Sequence, residues 1–569
     1  MSENARIPHH LKRYVVEQDY AQYTEVDHAV WRFVLLQTYQ RLEHTAHAAY
    51  RQGLAQTGIS VERIPRIPEM SERLERFGWH AVCVDGFIPP RAFQEFQAAS
   101  ILPIAADIRR KDHLVYTPAP DIIHEAAGHA PILPATEYAA YLRAIGEVGK
   151  KAFSSPEDAR VYAAIFELSE VKETRGASPE LLTAAEARLT HALSAVSSTS
   201  EASRLSRLYW WTAEYGLVGT PSDYRLYGAG LLSSLWESHT CHDAAVRKLP
   251  LSVACIEQGY DITRTQPQLF VARDFQHLFA VLADVDATLA HRAGGDVALA
   301  AAVHSEELAT LHFEGQRFVT AELAAARGSA KAGLLTLRGR IGVGVQGRLT
   351  GVFDAHDRGY RVPFGPLSNG RSPSLGAPGS RISLHFAAGV ELSGVLAERS
   401  LDARGLLASV RLTDYHLSCE ASGLSERGAE YVWHVLPALL TAHAGSTDPA
   451  FFPEVAASGV RVPKPQLLEP RERALLGLYE RAIAAFRQQL GSAAVPAFAA
   501  VHAELSRSFP DEWLLRWNLL ECLYKLSEDA PNGHGLRHTL QSELLALELK
   551  FSHREPIASG LRYLASLAA

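Results

Sequence analysis

Cysteine is sparse: five in 569 residues (Cys83, Cys241, Cys255, Cys419 and Cys522), far apart and with no Cys-x-x-Cys pair. That spacing argues against a disulfide framework and against a cysteine-based zinc site, and thiols in a reducing cytoplasm are the simplest account. Long apolar runs are missing too, and Met1 to His10 has no apolar signal core, so neither a membrane span nor export is expected. Basic charge is not in excess. With 56 Lys and Arg against 63 Asp and Glu, the net charge of -7 leaves no footprint for nucleic acid or an anionic membrane.

What is present is an ordinary soluble composition, 47% apolar and 21% charged. The length is too great for one core, and about three domains are expected. The chemistry concentrates in Pro118-Ala-Pro120-Asp121-Ile-Ile-His124-Glu125-Ala-Ala-Gly128-His129-Ala-Pro131. The prolines hold the approach extended, and Asp121 stands where a helix N-cap belongs. Two histidines beside a glutamate suggest zinc first, but the zinc peptidase pattern His-Glu-x-x-His has a shorter interval. Five residues advance an ideal helix by roughly 500°, leaving the rings about 140° apart, so convergence requires a local distortion. Gly128 is the residue expected to permit it.

A third ligand should be a distant carboxylate, because two histidines and one carboxylate on one face leave a six-coordinate iron open to oxygen and water. Glu214, in Leu208-Tyr-Trp210-Trp-Thr-Ala-Glu214-Tyr215-Gly-Leu, is the best candidate. The aromatics around it suit a pocket for a flat apolar substrate.

Together these segments resemble the iron-site motif of the tetrahydropterin-dependent aromatic amino acid hydroxylases, in a phenylalanine-hydroxylase-like, long bacterial form. Further pieces follow in the family's order: Val84-Asp-Gly86-Phe-Ile88-Pro-Pro-Arg-Ala-Phe93, Ile108-Arg109, Tyr116-Thr117-Pro118, Tyr227-Gly-Ala-Gly230-Leu-Leu-Ser233-Ser, and Tyr260 through Pro267. The resemblance spans roughly residues 10 to 290. It implies an α+β, mainly α, fold with a helical catalytic domain at 8–295. It also implies Fe(II) held by His124, His129 and Glu214, a tetrahydropterin (tetrahydrobiopterin or a relative) and O2 as co-substrate.

The same resemblance assigns the remaining site. Gly86 and Ile88 would offer backbone groups to the pterin edge, Phe93 would stack on its ring, and Glu125 would touch the pterin side. Arg109, oriented by Asp121, would take the substrate carboxylate as a guanidinium can, with Thr117 at the family's interval beyond it. Trp210, Tyr215, Pro120 and Gly230 would wall the aromatic slot, and Ser233 would fix the tautomer of an iron histidine. Ile262 falls where phenylalanine-oxidising members carry an aliphatic residue; a buried aliphatic there would reject a phenolic hydroxyl. Where the family has phenylalanine after the ligand glutamate this chain has Tyr215, whose hydroxyl bears on slot polarity. No N-terminal regulatory module of the animal type is expected.

Residues 147–203 form a helical insertion relative to the family's shorter members. From about residue 330 to 425, short alternating runs predict a small β-rich domain. Its Gly342-Val-Gly344-Val-Gln-Gly347 match to a dinucleotide fingerprint is rejected, because a strand rather than a helix is expected to follow. From Glu430 to Ala569 the pattern is helical. Trp513 and Trp517, four apart, are expected in a core or on an assembly face, and a homo-oligomer would form through this region. The expected activity is ring hydroxylation of a small-molecule aromatic amino acid, most simply phenylalanine to tyrosine. The competing readings are tryptophan or another aromatic substrate on the same chemistry, a zinc peptidase, and an inactive assembly protein.

Overall fold

The helix Glu25–Arg41 begins with a reciprocal cap, in which the Thr24 hydroxyl accepts the Asp27 N–H and Asp27 accepts the Thr24 N–H. From His28 to Thr38 every residue is buried, including Arg32 and Gln37. Such a helix has no solvated face, and its polar groups must find partners. The computed structural model describes residues 7–568 apart from 87, 115–119, 174–177, 263, 358, 369–374, 403–404, 454–468, 489–493, 527–532 and 551–553. The chain forms two compact units, one of residues 11–146, 207–281 and 456–569, the other of residues 1–10, 147–206 and 282–455. These units group the chain differently from the segments 8–295, 330–425 and 430–569.

In the first unit the partners of the buried helix come from the far end of the chain. Arg32 is paired with the fully buried Glu521, and Ser559 donates to Gln37 at 2.6 Å. Phe33 meets Trp513 and Trp517 edge-on, with ring centroids 5.1 and 4.7 Å apart. Gly560 allows the last helix, Arg554–Ala568, to close in, since a Cβ there would lie 2.6 Å from the Trp517 indole nitrogen. The tryptophan pair is therefore core.

The same unit holds a parallel strand pair, His80–Val84 with Ile101–Ala105, joined through the helix Pro90–Ala98. It also holds a four-stranded sheet in the order Asp223–Leu226, Leu217–Thr220, Gln268–Ala272, Arg247–Pro250. Gly53, inside the helix Ala49–Gln56, is buried; a Cβ there would fall 1.8 Å from the Pro131 carbonyl oxygen, so the glycine serves close packing.

The second unit is built on two antiparallel sheets. One runs Arg348–Asp354, Ala332–Val345, Arg317–Ser329, Leu308–Phe313, Leu439–Ala444, with Tyr360–Phe364 also paired to Ala332–Val345. The other runs Arg381–His385, Val390–Leu401, Leu407–Cys419, Leu424–His434. Trp433 joins them by donating to the Pro363 carbonyl at 3.1 Å. Strand thus extends from Leu308 to Ala444, past Glu430 where helix was expected, because Glu430-Tyr-Val-Trp-His keeps a strand's alternation. Gly342 and Gly344 lie inside a strand that turns into another strand, as the rejection of the dinucleotide fingerprint required. The insertion contributes two helices, Pro156–Glu173 and Pro179–Ser194, fastened by Arg188 on Glu167. All five cysteines are buried as thiols. Among the described residues no helix is long and apolar enough to cross a membrane.

Candidate metal and substrate site

The five-residue histidine interval is resolved by the helix itself. Ile123–His129 is a π-helical turn, whose extra residue per turn brings positions five apart onto one face, and Trp210–Glu214 is a second such turn. Gly128 does not act through backbone freedom. A Cβ there would lie 2.6 Å from the Ala229 carbonyl oxygen, so it lets the turn close against the helix Ala229–Ser233.

His124 Nε2 lies 3.1 Å from Glu214 Oε2, and His129 Nε2 lies 3.1 Å from Glu214 Oε1. Among the described residues these three form the one cluster of His, Cys, Asp or Glu placed to share a metal ion, their ligand atoms all within 4.8 Å. The Ser233 hydroxyl donates to the Ala229 carbonyl at 2.7 Å, and His124 Nδ1 lies 3.2 Å from Ser233 Oγ. With its one proton directed to Ala229, that oxygen accepts from Nδ1–H, which leaves the Nε2 lone pair bare. Glu214 Oε2 is buried without a hydrogen bond despite its nearness to His124. Burial would raise the Glu214 carboxyl, but His129 and His124 overcome it and hold it well below the usual carboxylate range. Donor type, convergence and tautomer all fit a divalent cation, and two imidazoles with one carboxylate are the donor set of a non-haem iron centre.

Beside the cluster, Arg109 and Asp121 form a buried fork, with Nε to Oδ2 at 2.9 Å and Nη2 to Oδ1 at 2.8 Å. Burial opposes ionisation of Asp121, but Arg109 keeps its carboxyl lowered. Asp121 Oδ1 also accepts the His124 N–H at 3.0 Å, so one carboxylate caps the π-turn and orients the guanidinium. Trp210 is sandwiched between Tyr215 and Tyr260, at 4.6 and 4.3 Å.

A protein-family model described as biopterin-dependent aromatic amino acid hydroxylase matches residues 11–172 and 171–293, about half of the chain. The chain belongs to that family. It is 29% identical over 240 residues to phenylalanine-4-hydroxylase of Pseudomonas aeruginosa, covering 42% of this chain and 74% of that one. To the phenylalanine-4-hydroxylase of Ralstonia nicotianae it is 31% identical over 225 residues, covering 39% and 58%. Among solved structures, Chromobacterium violaceum phenylalanine hydroxylase with bound iron(III) and 7,8-dihydrobiopterin is similar at 27% identity, covering 48% of this chain and 85% of that one, with a TM-score of 0.38.

The other residues carried over from the hydroxylase motifs distribute as follows. Phe93 is half-buried and meets Tyr209 edge-on at 5.7 Å, and Tyr209 in turn lies 6.4 Å from the His129 ring. Gly86 has the positive φ of 62° that its turn requires, and Ile88 is buried. Glu125 is buried 3.9 Å from His129 Nε2; burial first, then Glu214 and Asp121, push its carboxyl up to about 8 against the pull of His129. Pro120 is half-buried, whereas Thr117 lies outside the described residues. Gly230 abuts the ligand segment, since a Cβ there would be 2.7 Å from the Tyr215 ring.

Ile262 is 41% exposed, not buried as expected. In this loop Tyr260, rather than Ile262, packs on Trp210, so the selectivity argument built on Ile262 falls. Two residues of the slot were missed. The Tyr215 hydroxyl donates to Glu237 at 2.7 Å, and the other oxygen of Glu237 accepts the Gln266 N–H at 2.9 Å. Gln266 then donates to the Asp261 and Arg264 carbonyls, tying the loop. A tyrosine in an apolar string needs a partner for its hydroxyl, which was the available signal.

Proposed function

We propose that the protein is an iron- and tetrahydropterin-dependent monooxygenase that places one atom of O2 on the ring of phenylalanine to give tyrosine. The observation that carries this reading is the convergence of His124 Nε2, His129 Nε2 and Glu214, with Ser233 setting the His124 tautomer. Family membership supports the reaction class, and relatives named phenylalanine-4-hydroxylase support the substrate. When bound, iron and a reduced pterin supply oxygen activation and the two electrons that reduce the second oxygen atom.

The protein's own residues supply placement and dryness. His124, His129 and Glu214 would hold the metal on one face. Gly86, Ile88, Phe93 and Glu125 would border the pterin. Arg109, fixed by Asp121, would bind the substrate carboxylate, while Trp210, Tyr215, Pro120 and Gly230 would exclude water around the ring. The Tyr215 hydroxyl is occupied by Glu237, which keeps the slot apolar despite the extra oxygen and favours phenylalanine over a phenolic substrate. A cytoplasmic location and a homo-oligomer formed through the C-terminal helices complete the proposal. Buried thiols support the former, and the exposed Leu545 and Leu549 of the helix Gly533–Lys550 support the latter.

The test is to incubate the Fe(II)-loaded protein with tetrahydropterin, O2 and each of phenylalanine, tryptophan and tyrosine, and to follow product mass. A gain of one oxygen on phenylalanine is expected; no gain on any amino acid overturns the reading.

A further inference from the structure

Glu512 is an acid with no local reason to be buried. It stands at the start of the helix Trp513–Lys525 and is only 4% exposed. Both carboxylate oxygens are committed to distant groups. Oε1 accepts the Tyr479 hydroxyl at 2.8 Å, and Oε2 takes the ammonium of Lys111, 401 residues away in the chain. The Glu512 backbone carbonyl is in turn held by Arg516, which reaches on to Glu543 at 2.7 Å. The carboxylate is therefore fixed before it meets Lys111.

Lys111 opens the short 3-10 turn Lys111–His113, two residues beyond Arg109. The docking of the C-terminal helices is already provided for elsewhere on the same helix, by Trp513 and Trp517 on Phe33 and by Glu521 on Arg32. The contact of Glu512 falls instead on the arm that carries the guanidinium. We infer that Glu512 is a positioning residue: through Lys111 it tethers the Arg109–His113 arm, so that the C-terminal helices, which lie beyond the residues of the family match, set the affinity for the amino acid. This rests on Arg109 being the group that binds the substrate carboxylate.

The experiment uses the full chain and two readouts. In E512Q, which keeps the shape and removes the charge, the KM for phenylalanine should rise about tenfold, as expected when a part-buried ion pair loses one partner, while kcat and the pterin KM hold. K111M should behave alike, the double variant should be no worse than either single one, and E512D should recover part of the loss. R481A, which breaks an exposed pair between neighbouring C-terminal helices, should change nothing. Independently of turnover, amide hydrogen exchange in residues 109–114 should quicken in E512Q and K111M but not in R481A. Unchanged exchange there, or a shift of kcat and both KM values together, overturns the tether. If exchange responds while the parent oxygenates no amino acid, the tether stands and the hydroxylase reading has failed.

Discussion

The His124 and His129 rings lie 5.1 Å apart and the His312 and His443 rings 5.2 Å apart, yet the two pairs are chemically unlike. The first pair faces Glu214 with both Nε2 atoms, and Ser233 directs the proton of His124 away from that side. In the second pair both nitrogens of His443 are occupied within the protein, Nδ1 by the Ala444 carbonyl at 2.8 Å and Nε2 by the Thr447 hydroxyl at 3.1 Å. Burial, with His312 and Lys151 nearby, pushes His443 down to about 3, and burial lowers His312 as well. Nearness of imidazoles is thus a packing fact. A carboxylate across the gap and an imposed tautomer are what fit one pair, and not the other, to a metal ion.

Removing the carboxylate should erase the distinction. Glu214→Gln is expected to abolish stoichiometric iron retention and to lower hydroxylation by more than about 100-fold, since even partners outside the ligand shell are worth 10–100-fold. Iron content and product mass, measured side by side with His312→Gln, check this; the latter should retain the parent's iron. Equal loss in both variants would remove the contrast between the pairs.

Removing only the tautomer control should have a smaller effect. Ser233→Ala frees His124 Nδ1 and is expected to cost about 10–100-fold in iron affinity, read by competition with a chelator. Comparable in size, but read on stability and not on the metal, is Gly128→Ala, whose Cβ must displace the Ala229 carbonyl. It should cost about 1–3 kcal/mol of stability by urea unfolding. A neutral outcome would mean that the π-turn does not depend on this close approach.

These contrasts also mark what the sequence could convey. The histidine pair and Glu214 stood out by residue type and spacing, whereas the Arg109–Asp121 fork and Ser233 were legible only through the resemblance to the hydroxylase motifs. The means of convergence was only half legible: the interval demanded a distortion, but the π-turn and the packing role of Gly128 depend on Ala229 across the fold. Partnerships over long separations were hidden altogether. Arg32 reads as a surface charge until Glu521, 489 residues away, is beside it, and Lys111 reads as part of a solvated run until Glu512 arrives. Exposure of Ile262 was equally out of reach, because it depends on which loop residue covers Trp210.

The gentlest perturbation probes the second pair alone. Because the folded pKa of His443 is lowered to about 3 from an ordinary 6.5, both folded and unfolded chains carry it neutral above pH 6.5 and it adds no pH dependence there. As pH falls from 6.5 toward 3, the unfolded chain gains a proton that the folded chain refuses, so this residue makes the fold progressively less stable toward acid. His443→Gln removes that difference. Urea unfolding across this range should show a pH dependence of stability shallower than the parent's by about one proton. His129→Gln offers no such clean comparison, because it also removes a member of the proposed metal site. An unchanged slope in His443→Gln would mean that His443 takes up its proton in the folded state, and the two pairs would then differ by less than their geometry indicates.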